Sequence, residues 1–130
     1  MSIFRRKKAC FFPDDTAGRR RVIMDVHRQV SGDDRVRDPS ILDLVLEQIF
    51  DETDPFFVDS YLIYYIGTYK PFESGNEETA KVLADGILAD SGFEIPQTDV
   101  ALSHLSQSFC GQHTIDSIVE WQRNHAVRRR

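Results

Sequence analysis

The chain has 130 residues and a mass of 15.0 kDa, a size at which a single domain buries a core without disulfides or a structural metal. Apolar residues make up 41% and charged residues 28%, which argues against a disordered or fibrous chain. The longest strongly apolar stretch, Tyr61 to Ile66, is too short to cross a bilayer, and two cysteines make no disulfide framework.

The chain opens on a basic segment, 1–13. Here Phe4-Arg5-Arg6-Lys7-Lys8 leads to Ala9-Cys10-Phe11-Phe12 and stops at Pro13. The segment reads as irregular or extended, with solvated charge, and no signal-peptide pattern is visible in it. Asp15 or Thr16 then caps a first helix. Val22, Ile23, Val26 and Val30 recur on it at helical spacing, and Gly32 is a natural stop. In the second helix Ser40 serves as N-cap and Asp43 takes a capping-box-like position. Leu42, Val45, Leu46, Ile49 and Phe50 form its buried face.

Asp54-Pro55 is a specific start signal, Asp at the cap and Pro in the first helical position. The segment 55–69 that follows is apolar almost all round, the mark of a central element. Its aromatic and β-branched content also suits a buried strand. The start signal and the 15-residue length favour a helix. Asn76 caps a fourth helix, whose stripe is Ala80, Leu83, Ala84, Ile87 and Leu88 and whose stop is Gly92. Thr98 opens a fifth helix with Ala101, Leu102, Leu105 and Phe109 on one side. Thr114 opens a sixth with Ile115, Ile118, Val119, Gln122 and Ala126, and residues 124–130 fray. The fold expected is all-α, a compact bundle of about five to six short helices. Its single helical domain is 14–127, between the basic segment 1–13 and a basic tail 128–130.

Catalytic signatures are missing. There is no Gly-x-Ser-x-Gly elbow, no phosphate-binding Gly-rich loop and no Cys-x-x-Cys pair. His104, Cys110 and His113 are close in sequence, but a zinc site needs three or four convergent ligands; surface histidines beside a turn are the expectation. Neither metal nor cofactor is therefore expected, nor is catalysis. Residues 98–126 resemble the apolar skeleton of a helix-turn-helix. The second helix of that unit would present Thr114, Asp116, Ser117 and Glu120, and two acids there oppose a polyanion.

Charge placement says more than the net value of −5. Residues 39–120 hold 15 acidic side chains against Lys70 and Lys81, while both flanks are basic. A body of this kind repels nucleic acid and attracts cationic macromolecules. Asp51 and Glu52 stand at a predicted helix C-terminus, where negative charge is unfavourable, so they have no local stabilising role. All four tyrosines fall between Phe56 and Phe72, and Tyr suits interfaces. The expectation is a cytoplasmic, non-catalytic protein-binding module with an acidic face. One form of it is an inhibitor or immunity-type protein that neutralises a basic partner such as a nuclease toxin. The expected contacts are Asp51, Glu52, Asp54, Asp59, Tyr61 and Tyr65. The alternative expectation is a nucleic-acid-associated regulator using the helix-turn-helix-like hairpin at 98–126. Oligomeric state is left open.

Overall fold

The computed structural model describes residues 10–129, so the basic run 5–8 lies outside the described residues. The described chain is an all-α bundle of six helices: α1 Thr16–Ser31, α2 Pro39–Gln48, α3 Pro55–Tyr69, α4 Asn76–Asp90, α5 Asp99–Phe109 and α6 Ile115–His125. A two-residue antiparallel pair, β1 Phe93–Glu94 with β2 Val127–Arg128, is the small sheet. No helix among the described residues is long and apolar enough to cross a membrane.

α3 is a helix and the centre of the fold. It packs against α2, α4, α5 and α6, which is why a segment apolar on every side is stable there. The Asp54 carboxylate accepts from the Phe56 amide at 2.9 Å, satisfying one of the free N–H groups at the helix start, and Pro55 needs no partner. The helix ends at Lys70, whose φ of 52° is left-handed. Its ammonium reaches back to the Gly67 carbonyl at 2.8 Å, so the strained residue also caps the open C-terminus. Gly67 lets α5 approach: a Cβ there would stand 2.3 Å from the buried Phe109 ring.

α1 is capped by Asp15 and terminated by Gly32 in the left-handed conformation. α4 buries the stripe Ala80, Leu83, Ala84, Ile87 and Leu88 against α3. Thr98 and Thr114 cap α5 and α6 through their hydroxyls.

Three local expectations are corrected. Asp38, two residues before Ser40, caps α2, because Pro39 occupies the first helical position and Asp38 accepts from the Ser40 amide. Gly75, not Asn76, precedes α4. Asn76 is buried, and its amide exchanges hydrogen bonds of 2.9 Å with both backbone groups of Phe72, closing the turn from α3. The C-terminal residues do not simply fray. Val127 and Arg128 pair with Glu94 and Phe93, the Arg129 amide donates to the Gly92 carbonyl at 2.8 Å, and the Arg128 guanidinium lies over the Phe93 ring. At the other end, the amides of Phe11 and Phe12 both donate to the Asp90 carboxylate.

Candidate functional site

The acidic side chains of residues 39–120 include three groups. Three body carboxylates are met by arginines of the basic flanks: Asp43 by Arg20, Glu73 by Arg35 and Asp54 by Arg123. Glu77 and Asp85 are met by Lys70 and Lys81. Such exposed pairs contribute little stability but do cancel field. A third group, which includes Glu47, Asp51, Glu78, Glu94, Asp99, Asp116 and Glu120, is exposed and has no ion pair among the described residues.

Two of these, Glu47 in the last turn of α2 and Asp51 in the connection to α3, border one cleft. α2 ends at Gln48, and Ile49 turns fully into the core. The next side chain must then point outward, and Phe50 is 66% exposed, contrary to its place on the predicted buried stripe. Helical spacing stops applying where the helix stops. The turn is rigidly held. The buried Arg19 donates to the Ile49 carbonyl at 2.7 Å and to the Pro13 carbonyl at 2.8 Å, joining the start of α1 to the residue before Phe50. Half-buried Glu52 accepts from the amides of Thr53 and Asp54 at 3.1 Å, which fixes the exit from the turn.

Phe50 stands between two clefts. One is bordered by Thr16, Arg20, Asp43, Leu46, Glu47 and Asp51. The other is bordered by Cys10, Phe12, Asp14, Asp51, Glu52, Pro55, Val58 and Asp90, among others. The exposed Phe50 ring thus shares its two clefts with the carboxylates of Asp14, Glu47, Asp51 and Glu52. Phe50 itself was not legible as a contact residue, since only the precise helix end turns it outward. No family model matches the chain, and no curated protein does.

The six contact residues expected from the sequence are therefore dispersed. Asp51 and Glu52 lie at the Phe50 site. Asp54 is at its margin, engaged in capping α3 and pairing with Arg123, whose guanidinium also covers the Phe57 ring. Asp59 is corrected outright: it is fully buried and touches no macromolecular surface, because α3 is enclosed by its neighbours. Tyr61 and Tyr65 are half-buried and belong to a separate cluster with Tyr64 and Tyr69 along α3. Tyr65 lies roughly 16 Å along the helix from the Asp54 cap, at about 1.5 Å per residue, so the tyrosines do not flank Asp51.

The histidine group has a different geometry from a metal site. His113, His104, Trp121 and His125 form a column of four stacked rings, with centroids 4.2, 4.2 and 4.0 Å apart. Stacked rings hold their nitrogens in parallel planes instead of converging them on a point. Cys110 is exposed at the end of α5. No cluster able to hold a metal ion occurs among the described residues. Burial, with His113 and His125 nearby, lowers the His104 pKa to about 4, so this ring is neutral at pH 7. The outer face of α6 exposes Asp116, Ser117 and Glu120, an acidic surface where a groove-reading helix normally carries cations.

Proposed function

We propose that the protein is a non-catalytic binding module whose partner is a cationic protein, engaged through Phe50 and the carboxylates around it. The observation that carries this reading is the exposed Phe50 ring set between Glu47, Asp51 and Glu52 on a turn locked by Arg19. A rigid aromatic anchor buries area at small entropic cost, and unneutralised carboxylates at its rim steer a positively charged surface onto it. An inhibitor or immunity-type role follows if the partner is a nuclease, because the rim carboxylates would then occupy the cationic surface that receives phosphates.

The experiment is binding of the full chain to a panel of purified cationic nuclease domains, with an acidic protein of similar size as control, by biolayer interferometry at low and high salt. The expected result is a nuclease bound and inhibited at low salt, with Phe50→Ala costing roughly thirtyfold in affinity, as for a central aromatic anchor. Asp51→Lys with Glu52→Lys slows association about tenfold and flattens the salt dependence. Absence of binding tighter than about 10 µM across the panel, or binding indifferent to both variants, refutes the proposal.

A further inference from the structure

A second site lies on the far side of α3, in the cavity enclosed by α3, α4, α5 and α6. Asp59 is 0% exposed and lines this cavity. Neither of its carboxylate oxygens receives a hydrogen bond from any described residue. Two neighbouring polar side chains are bonded elsewhere. The Ser60 hydroxyl donates to the Phe56 carbonyl at 2.7 Å, and the Gln122 amide, which also lines the cavity, donates to the Ser60 oxygen at 2.9 Å. A carboxylate in this position is costly to keep unless something brings it donors or a positive charge. Protonation lowers this cost but leaves the second carboxyl oxygen without a donor. Burial does push the Asp59 pKa well above its ordinary range, with the Asp85 charge adding to the effect.

The rest of the cavity describes the missing group. Its inner wall is apolar: Ile63, Ala84, Leu88, Leu105 and Ile118. Asp85 and Lys81 also border it, and they pair with one another at 2.8 Å, so neither is left as a free partner for Asp59. His104, on the same lining, is neutral at pH 7 and brings no competing cation. The free space is about 40 Å³, room for roughly three water-sized groups. A hard metal ion requires about six oxygen ligands, and this wall does not supply them. An ammonium supplies three donors and one positive charge, and an alkyl chain suits the apolar wall.

We propose that this cavity binds a small aliphatic primary amine, its ammonium head on Asp59 and its first carbons between Ile63, Leu105 and Ile118. Gln97 and Leu102 are exposed residues of the same lining, and the remainder of the alkyl chain leaves past them. This site is independent of the Phe50 face, and either can fail alone.

The test uses the full chain and n-butylammonium as probe, followed by the methyl signals of Leu105 and Ile118 in carbon–proton correlation spectra, with 1-butanol as neutral isostere. The expected result is saturable binding with Kd below about 1 mM, at least tenfold weaker binding of 1-butanol, and at least tenfold weakening by Asp59→Asn. Ala101→Leu, which fills the cavity from α5, abolishes the shift. Lack of saturation by about 10 mM butylammonium, the sign of a cavity that holds only water, overturns the proposal. So does equal affinity for the alcohol on the unmodified chain, a comparison that stands even if a variant fails to fold.

Discussion

Replacing Asp59 by Asn keeps the side chain's shape and removes its ability to ionise. In the folded protein, burial raises the Asp59 pKa well above its ordinary 3.8. Over the interval between those two values the native state holds a proton that the unfolded chain has released. Stability therefore falls as pH rises through this window, by about 1.4 kcal/mol, or a factor of ten, for each pH unit. Asparagine has no such dependence. The variant should match the parent near pH 4 and become progressively more stable than it above that pH, levelling off once Asp59 ionises in the folded state. At about 1 kcal/mol per 4 °C for a domain of this size, the separation in Tm is readily measured by circular dichroism between pH 4 and 8 without added amine. Taking the difference between variant and parent cancels every other titrating group. A difference that is flat across this range would show that Asp59 is solvated or hydrogen-bonded in solution and that the cavity argument has no basis.

Two further outcomes are expected. Gly67→Ala drives a methyl into the buried Phe109 ring at 2.3 Å, and the overpacking cost of about 1–3 kcal/mol outweighs the gain of about 1 kcal/mol in helix propensity. Gly86→Ala meets the half-buried Phe11 ring instead, near the start of the described chain, where the ring can swing aside; urea denaturation should rank Gly67→Ala as the more destabilised. His104→Phe keeps the stacking but removes a group whose folded pKa, about 4, lies below its ordinary 6.5. The unfolded chain binds that proton first, so parent stability is lost as pH falls from about 6.5 toward 4. The variant should lose less over this range, measured as the change in urea midpoint.

Much of this architecture was legible residue by residue. Asp54-Pro55, Thr98, Thr114 and Gly32 mark helix ends through chemistry that needs no tertiary partner, and each does so in the structure. Most of the failures share a cause. Phe50 continues the stripe of α2 in the sequence, but α2 stops two residues earlier and the same spacing then turns the ring outward. Asp38-Pro39 carries the same start signal as Asp54-Pro55, with Ser40 expected in its place; Asn76 acts through the backbone of the preceding turn, which propensity does not reveal. Pairing of 93–94 with 127–128 is a long-range event between segments too short to show alternation. Asp59 was the most readable of the misplaced residues. It lies four positions before Ile63, on the stripe of the helix predicted to be central, and an acid there must sit inside.

Both ends of the described chain are moored to one short stretch. Phe11 and Phe12 hold Asp90, while Val127, Arg128 and Arg129 hold residues 92–94. Residues 11–12 and 127–129 are thus both tied to the C-terminal end of α4 and the strand that follows it. A pull applied between residues 12 and 127 would load the 90–94 clasp before it reached the hydrophobic interior.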